Sequence, residues 1–211
     1  MDEKQIVRDG YNRIALRYLA RRPQNGEDVR LLRELVARLP KGARLLDAGC
    51  GPGVPVSRLL SNDFEVVGVD FAMEQLRLAH QLVPRAEFVC QDMTHLGFAE
   101  ECFDAIVSYY ALINVAREEH RQVLLDFRKI LKASGLALLC MGAGDLPGVE
   151  GDFMGATMYW SHYGAQDNIK MLEECGFDII LSKIIVDVLN PSAAHLFVLA
   201  TKRSISNPNS R

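Results

Sequence analysis

The stretch LLDAGCGPG, Leu45 to Gly53, puts three glycines at alternate positions directly behind a short apolar run. Glycine admits positive φ and lets the backbone approach a ligand closely, so such a turn after a strand points to a nucleotide-type cofactor. Spacing separates the candidates. A dinucleotide fingerprint counted from Gly49 requires a third glycine at position 54, where the chain has Val54. A P-loop requires a closing Gly-Lys-Ser/Thr, which is absent. The pattern here is G-x-G-x-G, preceded by the acidic Asp47 and followed by Pro55.

Working outward, four apolar runs each end in a polar or small residue: Arg44–Asp47, Glu65–Asp70, Glu87–Asp92 and Phe103–Ser108. Asp47, Asp70 and Asp92 lie 23 and 22 residues apart, which suits a strand, a turn and a short helix. Parallel strands joined by right-handed crossovers are expected. A fifth unit follows, with a helix over 117–132, the turn Ala-Ser-Gly and a strand over 136–141. Upstream, helices are expected over 3–20, where Gly10 weakens the pattern, and over 27–39, stopped by Pro40. Downstream, a glycine-rich loop from Gly142 to Gly155 leads to a helix near 165–175, ended by Gly176. Two β-rich runs, 177–189 and 195–201, are separated only by Asn-Pro-Ser-Ala-Ala, too short for a helical crossover, and predict an antiparallel hairpin. The fold class is therefore α/β, a doubly wound Rossmann-like sheet of seven strands, six parallel and one antiparallel, with helices on both faces.

Composition excludes several classes. The 211 residues are 49% hydrophobic and 24% charged with net charge −3, an ordinary globular balance. No basic footprint for nucleic acid or an anionic membrane is present. The five cysteines form no C-x-x-C pair, which argues against a disulfide framework and a zinc site; no metal is expected. No apolar run approaches 18 residues and the first ten residues lack a signal-like apolar core, so a cytoplasmic protein is expected. The oligomeric state is not legible.

LLDAGCGPG resembles motif I of the class I S-adenosylmethionine-dependent methyltransferases, small-molecule type. VVGVD (66–70) is similar to their second-strand motif, FVCQDM (88–93) to the third-strand motif and FDAIVSYYALINV (103–115) to the segment lining cofactor and substrate. The terminal hairpin matches the family's antiparallel seventh strand. The resemblance covers roughly residues 10 to 202 and implies S-adenosylmethionine as cofactor. It implies that Asp70, with Phe71, holds the ribose hydroxyls and that Asp92, with Gln91 and Met93, meets the adenine. It further implies that Asp47, Ala48, Gly49, Cys50 and Gly51 surround the cationic amino-acid end, with Ser108 nearby. A carboxylate at Asp70 can accept both ribose O–H groups. Tyr11 and Tyr18 resemble the family's N-terminal tyrosine lid, here Y-NRIALR-Y, and can cover the methyl donor. The resulting division is one methyltransferase domain over 1–203, with a helical lid region over 1–40 and a core over 41–203, and a disordered tail over 204–211.

The acceptor leaves weaker traces, because an in-line displacement needs alignment more than covalent chemistry. Ser-Tyr-Tyr-Ala stands where nucleobase amine enzymes carry N/D-P-P-Y/F, and no carboxylate cluster suggests a metal-bound catechol. A small-molecule acceptor methylated at O or N is expected; the alternative is a protein that binds S-adenosylmethionine or S-adenosylhomocysteine without transfer. Asn114 stands where many relatives carry histidine and cannot act as a base; it either hydrogen-bonds substrate or caps the next helix. The stretch 152–168 holds the only tryptophan, and Tyr159, Trp160 and His162 in it, with Tyr110, either wall an acceptor pocket or pack as a hydrophobic lid. His162 and Tyr11 are the candidate catalytic groups. His80, His95, His120 and His195 read as surface or core.

Overall fold

The computed structural model describes residues 2–204; of the tail expected to be disordered, residues 205–211 lie outside the described residues. Three helices come first: α1 (Glu3–Arg21), α2 (Glu27–Arg30) and α3 (Leu32–Val36). The alternating core then runs β1 (Arg44–Ala48), α4 (Val56–Leu60), β2 (Glu65–Asp70), α5 (Met73–Leu82), β3 (Glu87–Cys90), β4 (Phe103–Ser108), α6 (Arg117–Ile130) and β5 (Leu131–Gly142). A ribbon of β6 (Leu146–Phe153) and β7 (Ala156–His162) follows, then α7 (Ala165–Glu174), β8 (Phe177–Val186) and β9 (Ala194–Lys202).

The main sheet has seven strands in the order β3-β2-β1-β4-β5-β9-β8. Only β9 runs antiparallel to its neighbours β5 and β8, so six strands share one direction, as expected. The order reverses beside β1, which pairs with β2 on one side and β4 on the other. Ligands of such sheets sit at the carboxyl ends of the strands at this reversal. Both faces of the sheet are covered, which is why Leu45, Leu46 and Ala48 of β1 are all buried. Leu46 and Ala48 enter the cluster containing Phe103, Phe127 and Phe177, while Leu45 faces the opposite cluster with Leu35 and Leu60. On α6, Val123, Leu124, Phe127 and Ile130 fall at helical spacing on the buried face, and each such side chain removed from water contributes about 1.5–3 kcal/mol.

Four expectations change. The helix over 27–39 is two short helices. No helix lies between β3 and β4, and β3 stops at Cys90, so Asp92 occupies the following turn rather than the strand end. The supposed glycine-rich loop is strand β6, paired antiparallel with β7 from Leu146 opposite His162 to Phe153 opposite Ala156. Met154 and Gly155, φ +57° and +82°, form its two-residue turn. Positive φ at both positions matches the twist of a hairpin. Gly10 also finds a reason: a Cβ there would overlap Met158 Sδ and come within 2.8 Å of the Thr157 carbonyl. Glycine lets α1 lie directly on β7.

Candidate active site

Two adjoining cavities open at the carboxyl edge. The first, about 690 Å³, lies over the reversal point and is lined by Gly49, Gly51, Asp70, Phe71, Gln91, Asp92, Met93, Tyr110, Asn114, Tyr11 and Tyr18, all anticipated from the sequence. Lys4, Val7, Thr94 and Val115 also line it and were not anticipated. The β1–α4 turn is fixed by Gly49, Gly51 and Gly53 at φ +78°, +54° and +73°. A side chain at Gly49 would collide with Ala111.

Asp70 organises this turn. Its Oδ2 accepts the Gly51 N–H at 2.9 Å and its Oδ1 accepts the Ala72 N–H at 2.8 Å. Each oxygen keeps a lone pair for a further donor, as a ribose diol requires. Burial pushes Asp70 up to about 6 against the backbone donors that favour its charge. The Gly49 and Cys50 N–H groups are bonded to the Val69 carbonyl. With the Gly51 N–H taken by Asp70, the turn has no free N–H over these three residues, and acceptor character suits a cation better than a phosphate. Gln75 agrees: its Nε2 donates to the Tyr11 carbonyl at 3.1 Å, while its buried Oε1 has no partner and lies toward Gly51. An orphan acceptor beside the turn fits an ammonium group.

Asp92 accepts the Thr94 N–H through Oδ1 at 2.9 Å, and Lys4 Nζ stands 3.4 Å from its Oδ2. Tyr11 and Tyr18 come from α1, their rings edge to face at 5.7 Å, with burial raising both phenols. Asn114 lines the first cavity and does not cap α6, whose N-cap is Ala116. Its Oδ1 accepts the Tyr11 hydroxyl at 3.1 Å and its Nδ2 donates to the Tyr159 carbonyl at 2.7 Å, tying α1 to β7.

Four anticipated residues lie beneath the cavity rather than on it. Asp47 is buried, accepts the Ser57 hydroxyl at 2.5 Å, and is pushed up to about 7 by burial. Ala48 and Ser108 are fully buried, with the Ser108 hydroxyl donating to the Ala48 carbonyl at 2.8 Å. Cys50 packs with Val54 and Phe88. These residues shape the turn from behind.

The second cavity, about 870 Å³, shares Tyr11, Tyr18 and Tyr110 with the first. Trp160 and His162 line it, together with Ile113 and Phe153, with Arg22 and Asp187, which the sequence reading gave no role in a site, and with His195, which it read as surface or core. Alternation along β7 turns Trp160 and His162 toward this cavity, so Tyr159 falls on neither lining. His162 donates Nδ1–H to the Gly144 carbonyl at 2.8 Å, and burial lowers its pKa. Arg22 pairs with the buried Asp28 at 2.6 Å and lies 4.4 Å over the Tyr110 ring. Burial opposes its charge, but Tyr18 and Asp28 outweigh that and raise its pKa.

Sheet order, glycine turn and Asp70 together define a Rossmann-like α/β domain with a cavity at the sheet's reversal point. The model of the methyltransferase domain family matches residues 45–135. A demethylmenaquinone methyltransferase of Renibacterium salmoninarum is 30% identical over 106 residues, covering 50% of this chain and 44% of that protein. The chain thus spans less than half the length of that relative. A solved S-adenosylmethionine-dependent methyltransferase of Methanosarcina mazei superposes with TM-score 0.72 at 20% identity, over 82% of this chain and 98% of that one. The Burkholderia thailandensis 1,6-didemethyltoxoflavin-N1-methyltransferase, solved with its substrate and S-adenosylhomocysteine, superposes with TM-score 0.65 at 20% identity, over 84% and 76%. Residues 45–135 thus match a methyltransferase domain, and the chain shares its fold with solved S-adenosylmethionine-dependent methyltransferases.

Proposed function

We propose that the protein moves the methyl group of S-adenosylmethionine to an oxygen or nitrogen of a small molecule held in the second cavity. The observation that carries this is the junction: three tyrosines form a common wall, so a ligand in one cavity ends where a ligand in the other begins. When bound, S-adenosylmethionine supplies a methyl group activated by its sulfonium. Asp70 holds the ribose, Asp92 the adenine amine, and Gln75 with the glycine turn the amino-acid end. Tyr11 and Tyr18, on the α1 lid, present electron-rich rings to the cation and exclude water. Residues Phe153 and Trp160 position the acceptor, and orientation supplies most of the catalysis. The nearness of relatives that act on demethylmenaquinone and 1,6-didemethyltoxoflavin supports a small, ring-containing acceptor.

A reading as a binding protein without transfer draws on one feature, Asn114, whose amide bonds the Tyr11 hydroxyl and the Tyr159 carbonyl and which offers no base. Isothermal titration with S-adenosylmethionine, S-adenosylhomocysteine and NAD tests the common ground of both. One-to-one binding of the first two and no heat from NAD is expected. Tight NAD binding without S-adenosylmethionine binding would overturn it. Methyl transfer to any small acceptor separates the two readings.

A further inference from the structure

The second cavity contains a histidine–carboxylate pair that no motif announces. His195, at the start of β9, is 5% exposed and lines the cavity. Its Nε2 lies 3.1 Å from Asp187 Oδ2, and its Nδ1 is buried without any partner. Burial works to raise Asp187, yet the His195 hydrogen bond and the Leu189 N–H hold its carboxyl below the usual value. An ionised carboxylate only accepts, so Nε2 carries a proton, and in the neutral ring Nδ1 is the lone-pair nitrogen. The arrangement leaves a buried, oriented acceptor with nothing to accept from, a condition proteins otherwise avoid.

Position gives that lone pair a use. The His195 ring stands edge to face with Tyr110, centroids 5.1 Å apart, and Tyr110 is one of the three tyrosines bordering both cavities. His195 also pairs with Gly142 at the carboxyl end of β5, the edge where the cofactor cavity opens. The groups facing it are Asp187, Tyr110 and, across the same cavity, Arg22 and His162. Aromatic rings of Tyr11, Tyr18, Tyr110, Phe153 and Trp160 wall the remainder, which suits a flat, largely apolar ligand.

We propose that His195, oriented by Asp187, takes the proton of a weakly acidic hydroxyl on a planar aromatic acceptor. The acceptor's O–H bond breaks, its electron pair stays on oxygen as the incoming nucleophile, and the proton goes to Nδ1. The resulting imidazolium is balanced by Asp187. His162 lacks such a carboxylate, since its donor nitrogen is spent on the Gly144 carbonyl. The proposal rests on the second cavity being the acceptor site.

Trp160 is the only tryptophan of the chain and lines this cavity, so its fluorescence reports occupancy directly. The full chain, saturated with S-adenosylhomocysteine, is titrated with 4-nitrophenol and with 4-nitroanisole, which has no proton to give. At a pH where free 4-nitrophenol is protonated, the bound molecule is expected to show the phenolate absorption band. His195→Gln should remove that band and weaken 4-nitrophenol about 10- to 100-fold, the worth of a hydrogen bond to a charged group. 4-Nitroanisole should change less than about twofold. Asp187→Asn should diminish the band while keeping Trp160 quenching, and it serves if the His195 variant fails to fold. Loss of the band in His162→Gln but not in His195→Gln would overturn the proposal. So would the absence of quenching by 4-nitrophenol while S-adenosylhomocysteine binds normally. Failure of S-adenosylhomocysteine itself to bind would instead sink the underlying cofactor reading.

Discussion

The first cavity and its neighbour are lined with different material. Between Gly49 and Asp92, the first cavity uses a strand–turn geometry in which backbone N–H groups fix the position of one carboxylate, Asp70. The second cavity is made almost wholly of side chains, contributed by α1, the β6–β7 ribbon and the β8–β9 connection. Its polar groups, the Arg22–Asp28 ion pair and the hydrogen-bonded His195 and Asp187, are partnered within the wall before any ligand arrives. A backbone-built site tolerates little change of ligand, whereas a side-chain-built one can be redrawn by substitution. The same fold can therefore keep one cofactor and change acceptors.

The largest effect expected from this contrast falls on the acceptor side. Arg22→Ala leaves the Asp28 charge buried without its partner, and about 3–5 kcal/mol of stability should be lost, measured by urea unfolding. An unchanged midpoint would show that the wall does not depend on the pair. On the cofactor side, Asp70→Ala removes two charge-assisted ribose contacts, and S-adenosylmethionine affinity should fall at least about 100-fold by calorimetry. Its urea midpoint should move less than that of the Arg22 variant. Near-normal affinity would mean that the ribose lies elsewhere.

The smallest effect is a pH dependence. Asp70 rises from an ordinary carboxyl value of 3.8 to about 6 in the folded protein, because of burial. Its contribution to stability is thus fullest below 3.8 and is lost as pH rises through about 6. Ligand binding runs the other way, since the ionised form accepts the hydroxyls. Affinity should be level above pH 7 and fall about tenfold by pH 5, as the carboxylate protonates. A flat calorimetric profile over that range would remove Asp70 from the ribose site.

The part of the site legible in sequence was the part recorded locally. Gly49, Asp70 and Asp92 sit at fixed offsets from apolar runs, so strand ends could be aligned without knowing tertiary contacts. Asp47 was placed beside a cationic ligand group because it is an acid at the end of the first strand; in the fold its side chain is bonded to Ser57, ten residues on. The ribbon escaped because Pro147, Gly148 and Gly151 depress strand propensity and its turn is Met-Gly rather than Asn-Gly. Arg22, Asp187 and His195 escaped for a deeper reason. No short pattern links α1 to the last hairpin, and only the folded sheet brings them to one edge.

Gly10 touches neither cavity, yet it acts as a gauge. The absent side chain sets the clearance between α1 and β7, and those two elements carry Tyr11 and Tyr18 on one side and Trp160 on the other. A single hydrogen atom in place of a methyl group thereby sets how closely the helix and the ribbon approach, and with it the spacing of the aromatic walls they carry.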